Sequence, residues 1–146
     1  MRLSRTVAYA LQATLQLAQL GSKGPVPCNQ LAAAGNMPER FLLQVLRNLV
    51  THGVLQSSRG VEGGYSLDRH PADISLLEVI EAIDGPLTSA LPVRDGLSAP
   101  CQAKLEQTLS QVADATRRQL GAITLAELLA SPSEYKTFAA EPAMVS

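Results

Sequence analysis

Three groups of residues in this chain combine side-chain type and spacing in ways that suit chemistry. The first is Ser58-Arg59-Gly60-Val61-Glu62-Gly63-Gly64-Tyr65, a glycine-rich tip with one arginine, set between two strand-like runs. Gly60, Gly63 and Gly64 permit tight turns and close approach to another surface. Arg59 suits a narrow minor groove, where the negative potential is enhanced, or else simply water at the end of a hairpin. Tyr65 points at a phosphate or into the hairpin base. Such a tip directly after a helix-turn-helix is the pattern of a wing.

The second group lies on the amphipathic segment Pro38 to His52, just before that tip. The N-terminal turn of a reading helix meets base edges, so Met37, Pro38, Arg40, Phe41 and Gln44 are the residues with reach. Arg40 suits a guanine edge or a phosphate, and Gln44 suits adenine. Phe41 is equally suited to core packing. Arg47 and His52 fit phosphates or water, and Arg2 and Arg5 can grip the backbone from the first helix or stay solvated.

The third group is Cys28 and Cys101 with His52 and His70. Two cysteines are too few for a disulfide scaffold. The histidines stand apart, no metal is expected there, and His70-Pro71 reads as a plain turn. Nucleophile–base pairs, phosphate loops and paired catalytic carboxylates are all missing, so an enzyme is not expected. Glu78 and Glu81 fall on one helix face, where capping and solvation explain them.

The elements that would position these residues are mostly helical. Leu3, Val7, Ala10, Leu11, Leu15 and Ala18 predict a first helix over 3–20. A short second helix is expected over 27–34, with Pro27 in its first turn and Gly35-Asn36 as the break. The third helix, 38–52, carries the stripe Leu42, Val45, Leu46 and Leu49 and stops at Gly53. Val54 to Ser57 and Tyr65 to Leu67 read as short strands. Ser75 and Glu78 have capping-box spacing and open a fourth helix ending at Gly85-Pro86. A long helix over 99–121 presents Leu105, Leu109, Val112 and Leu120, and a second capping box, Thr124 and Glu127, opens a short helix over 125–130.

The 146 residues allow about one domain with an appended element. Net charge is −1, but residues 1–72 carry seven bases against three acids, and residues 73–146 carry five against ten. A basic front and an acidic back suit a protein that turns one end toward a polyanion. No signal-peptide pattern and no run of about 18 apolar residues is present, so a cytoplasmic location is expected.

Several of these segments, in order, resemble the Rrf2 family of bacterial transcription regulators, the group containing the IscR, NsrR and CymR types. They are Met1-Arg2-Leu3 with Tyr9-Ala10-Leu11, Gly24-Pro25-Val26, Pro38-Glu39-Arg40-Phe41-Leu42, Leu46-Arg47-Asn48-Leu49, Gly53-Val54-Leu55, the wing octet, and Ile74 through Pro86. The resemblance covers roughly residues 1–130. It implies a mainly α fold with a small β-hairpin: a winged helix-turn-helix domain (1–85), a loop (86–100) and a dimerisation helix with a short final helix (99–130); beyond Ser131 the sequence has no periodicity and reads as a loose tail (131–146). It also implies a homodimer whose heads bind a palindromic double-stranded operator; the DNA-binding set read from the residues themselves is Arg2, Arg5, Pro38, Arg40, Phe41, Gln44, Arg47, Ser58, Arg59, Gly60, Gly63, Gly64 and Tyr65.

Many family members hold an iron–sulfur cluster through three cysteines before and at the start of the long helix. Here only Cys101 stands in that region, at the family's third cysteine, and the first-helix positions that supply a further ligand in some members are Ala8 and Gln12. No cluster is therefore expected. Cys28 is expected as a small core residue. Cys101 is a buried relic, a thiol sensor favoured by the helix N-terminus, or the partner of its own copy in a second subunit. The expectation is a dimeric DNA-binding regulator, a repressor without its own cluster, or alternatively one gated by a protein partner, a small metabolite or Cys101 oxidation.

Overall fold

The computed structural model describes residues 1–21, 23–88 and 95–129. Their order is α1 (Arg5–Leu20), α2 (Cys28–Gly35), α3 (Glu39–Thr51), β1 (Leu55–Ser58), β2 (Gly64–Leu67), a 3₁₀ turn (Pro71–Asp73), α4 (Leu76–Asp84) and α5 (Ala99–Gly121). Residues 125–129 are helical again. The mainly α class with one hairpin is as expected. The loop assigned to 86–100 is described only at its two ends, and the tail 131–146 lies outside the described residues.

α1 begins later than its apolar pattern suggests, because Ser4 caps it: the Val7 N–H donates to Ser4 Oγ at 3.1 Å. Such a cap satisfies a donor that the helix itself cannot. Its buried face is Val7, Ala10, Ala13, Thr14, Leu17 and Ala18. Leu3 stays exposed and Leu11 and Leu15 only half-buried, so the expected stripe is rotated. The helix is apolar around much of its circumference, and spacing alone does not choose the face.

α2 and α3 form the helix-turn-helix. Pro27 and Pro38 each stand at the N-cap, one residue before the helix rather than inside it. The break is at Asn36, left-handed at φ 53, whereas Gly35 still belongs to α2. Gly35 is crowded: a Cβ there would meet the Gln12 amide nitrogen and the Met37 methyl, each at 2.7 Å, so both flexible side chains would have to move. The Asn36 turn folds the chain back so that the Met37 N–H donates to Ala32 O at 2.9 Å, and Met37 is buried. Its expected reach toward DNA is thereby corrected. Leu42, Val45, Leu46 and Leu49 are buried as the stripe predicts, against Leu31, Val54, Ile74 and Val79 in one core.

The hairpin is antiparallel, with Leu55 opposite Leu67 and Ser58 opposite Gly64. Each strand differs by one residue from expectation. Val54 is a buried turn residue whose N–H donates to Leu49 O at 2.9 Å, so pairing starts at Leu55 and runs through Ser58. α4 starts with the full capping box of Ser75 and Glu78. An isolated bridge between Ser75 and Thr124, with the Leu125 N–H donating to Ile74 O at 3.0 Å, returns the chain to the core, where Leu125 is buried.

α5 is different in kind. Ser98 caps it through the Cys101 N–H at 3.3 Å, and Pro100 lies in its first turn. None of its residues is buried. It meets α4 near its C-terminal end, where Arg117 pairs with Glu81 at 3.0 Å and Gly121 lies beside Leu77.

Candidate nucleic-acid interface

The outer face of α3 is built by the helical repeat. Arg40, Gln44, Arg47 and Thr51 are separated by four, three and four residues, which sets them along one stripe, and all four are exposed. The opposite stripe is the buried one, so the packing that holds α3 also fixes which side chains face outward. Glu39 opens the helix, where its carboxylate favours the dipole. Phe41 is 41% exposed, and its ring meets Tyr9 of α1 edge-on, with centroids 5.5 Å apart. Of the two options for Phe41, the surface one holds. Arg5 is exposed one turn before Tyr9 on the same face of α1, and Arg2 is exposed ahead of that helix.

The wing joins this face. Arg47, Val50 and Thr51 of α3 line one groove with Ser57, Ser58, Arg59, Gly64 and Tyr65 of the hairpin. Ser58, Arg59 and Gly60 are exposed, with Gly60 at φ 104. The 3.0 Å bond from the Gly63 N–H to Gly60 O closes the tip. Thr51 and Ser57 were not among the residues read from sequence. The signal was present for Thr51, four residues after Arg47, but Ser57 is visible only once the hairpin is folded against α3.

Tyr65 takes the inward option: it is half-buried against the core. Its backbone ties the wing to the segment before α2. The Tyr65 N–H donates to Val26 O at 2.8 Å and the Val26 N–H to Tyr65 O at 2.9 Å, so the segment before α2 pairs with β2 as a short third rung. Gly64 is needed at that crossing, because a Cβ there would lie 2.7 Å from Pro27 N and against the Val26 carbonyl group.

Charged groups behind this face are engaged in structure. The Arg69 guanidinium pairs with the Glu78 carboxylate and donates to Asp73 O at 2.8 Å and Gly53 O at 3.4 Å. Arg117 Nε and Nη2 donate to Glu81 at 3.0 and 3.2 Å, and the Leu87 N–H donates to Glu81 Oε2 at 2.8 Å. The hydrogen bond from Arg117 holds the Glu81 carboxyl below its ordinary range. Glu78 caps α4 as expected and, still part-exposed, also pairs with Arg69, while Glu81 is mostly covered and held by Arg117. His70 caps the 3₁₀ turn through the Ala72 N–H at 3.0 Å, which accounts for the expected plain turn.

Cys28 is half-buried, its Sγ 3.7 Å from Glu39 O, rather than fully in the core. Burial, and then the Glu39 charge, push its thiol up. Cys101 is exposed in the single chain, in the first turn of α5.

Residues 3–131 match the model of a family described as Rrf2, iron-dependent transcriptional regulator. The chain belongs to the Rrf2 family. Rrf2 relatives agree. A Mycobacterium tuberculosis protein, provisionally named an HTH-type transcriptional regulator, is 45% identical over 95 residues, 65% of this chain and 57% of its own length. The match therefore spans little more than half of that relative. CymR of Bacillus subtilis, whose structure is described as that of the global cysteine regulator, is 28% identical over 128 residues, 88% of this chain and 89% of its own. That structure superposes with a TM-score of 0.74 over 90% of this chain and 98% of CymR. T. potens IscR superposes with a TM-score of 0.73 at 27% identity, covering 93% of this chain and 91% of IscR. The winged-helix fold and membership of a family of transcriptional regulators follow from these matches.

The Rrf2 description names iron, so the donor set matters. Iron–sulfur clusters are held by soft thiolates, with histidine replacing some in certain centres. This chain has two cysteines in all, one on α2 facing Glu39 O and one on the first turn of α5. Among the described residues no group of three or more His, Cys, Asp or Glu is placed to hold a metal ion. These donors do not fit a cluster held within a single chain. No helix of the described residues is long and apolar enough to cross a membrane.

Proposed function

We propose that this Rrf2 regulator works as a cytoplasmic homodimeric repressor that reads a palindromic operator without a cluster of its own. In this reading residues 1–85 form the head and α5 pairs the two subunits. The observation that carries it is the continuous face made by Arg40, Gln44 and Arg47 of α3 with Arg59 of the wing, the latter two in one groove. α3 reads base edges from its first turns, Arg59 enters the adjoining minor groove, and Arg2 and Arg5 hold phosphates. Dimerisation is supported by α5, a helix of 23 residues with none buried, on which Leu105 and Val112 are 37% and 59% exposed. Apolar side chains left on a long helix favour burial against another surface, and a second α5 supplies one. The signal acts on the spacing of the two heads.

A second reading, gating by thiol oxidation or by a sulfur metabolite, draws on the exposed Cys101 at the start of α5 and on the likeness to CymR. Adding cysteine, its precursors or a mild oxidant to an operator-binding assay separates it from constitutive binding.

The first test is Arg59→Ala in operator titrations at several salt concentrations. Loss of the minor-groove arginine weakens binding, and where Arg59 also touches a phosphate the log–log salt slope falls by about 0.9. Unchanged affinity and slope remove the wing from the mechanism.

A further inference from the structure

α4 carries two carboxylates one turn apart that face opposite partners. Glu81 holds Arg117 of α5, and Glu78 holds Arg69 at the foot of the wing. Arg69 follows β2 after one residue, and its guanidinium also reaches two backbone carbonyls. Gly53 O, at 3.4 Å, lies in the left-handed turn (φ 78) where α3 hands over to β1. Asp73 O, at 2.8 Å, ends the 3₁₀ turn leading into α4. Beside it, the Asp68 N–H donates to Val54 O at 3.0 Å and closes the hairpin base. One side chain therefore ties the end of the reading helix, the wing and α4.

We infer that Arg69 is a positioning residue: it fixes the α3–wing unit on α4, and through Glu81 and Arg117 on α5, at the angle that sets the separation of the two heads. The side chains of Arg69 and Glu78 are 37% and 38% exposed, so as a surface pair they contribute little to stability. The planar guanidinium offers a fixed fork of donors, which suits defining an angle. Arg69 is also the one base of the first 72 residues that an ion pair engages among the described contacts, so it is not spent on phosphate. This inference rests on the dimeric reading of the preceding subsection.

The test uses the full chain and three kinds of duplex: the palindromic operator, the same palindrome with its spacer changed by one base pair in either direction, and a single half-site. Arg69→Gln is expected to bind the native palindrome about tenfold more weakly, a partial loss of the gain from engaging two linked heads. Its discrimination against altered spacers falls, while half-site affinity and salt slope stay as in the wild type. Arg69→Lys restores the affinity only in part, since an ammonium cannot hold the same fork, and thermal melting confirms that each variant is folded. Equal losses on half-site and palindrome, a salt slope reduced by about 0.9, or an unchanged spacer preference each overturn the inference. A wild-type chain that sediments as a monomer and ignores spacer length instead overturns the dimeric reading.

Discussion

Gly64→Ala tests how the wing is held. At φ 152 glycine is favoured, and a Cβ would press on the Val26 carbonyl group and lie 2.7 Å from Pro27 N. Both neighbours are backbone, so relief requires the wing to part from the segment before α2. That breaks the paired bonds between Val26 and Tyr65, at 2.8 and 2.9 Å. Each is worth about 1 kcal/mol net, and the disfavoured backbone conformation adds about 1 kcal/mol. The expected loss is about 3 kcal/mol in urea unfolding followed by circular dichroism. A wing displaced from α3 also no longer presents Arg59 beside Arg47, and operator affinity falls about tenfold, which is about 1.4 kcal/mol. Gly60→Ala is the control: φ is 104, but nothing lies within 4 Å of its Cβ, so only conformational strain of about 1 kcal/mol applies. If Gly64→Ala unfolds within about 0.5 kcal/mol of the wild type, the range of an ordinary surface change, and binds equally well, the Val26–Tyr65 pairing does not hold the wing.

Further outcomes concern the links behind the interface and the missing donors. Arg117 holds the Glu81 carboxyl below its ordinary range, so its contribution to stability is present above the unfolded carboxylate value, about 4.3, and is lost as pH falls through the lower folded value. Glu81→Gln should lack that part of the acid loss in melting curves from neutral pH downward; parallel curves for variant and wild type would count against the pairing. Protein purified without oxygen should show no broad visible absorption, because two cysteines so placed do not supply a cluster's thiolates. A brown protein refutes that.

The helices were legible because their signals are local. The Ser75–Glu78 box, the α3 stripe and the Gly-rich tip each lie within a few residues, and the ends of α1 to α5 and of the hairpin strands agree with expectation to within two residues. What escaped depends on distant partners. Met37 reads as a first-turn contact until the left-handed Asn36 turns it inward. The face of α1 is set by the neighbours that meet Ala13 and Leu17, and not by a repeat that Leu11 and Leu15 satisfy equally well. Tyr65 and Gly64 acquire their roles from Val26, some forty positions earlier in the chain. Likewise, spacing within α4 cannot tell that Glu78 and Glu81 face two different arginines. The outward groups of α3 were the easier part to read, because an amphipathic helix discloses both its faces at once.

In the proposed dimer two such faces read one duplex. Enrichment of random duplex DNA by the full-length protein, followed by titration of the winning sequence and its isolated half, tests it most directly. Inverted half-sites separated by about one helical turn or a multiple of it are expected, bound as a dimer and far more tightly than one half alone. Enrichment of no sequence, or of a single asymmetric site bound by one chain, would contradict it.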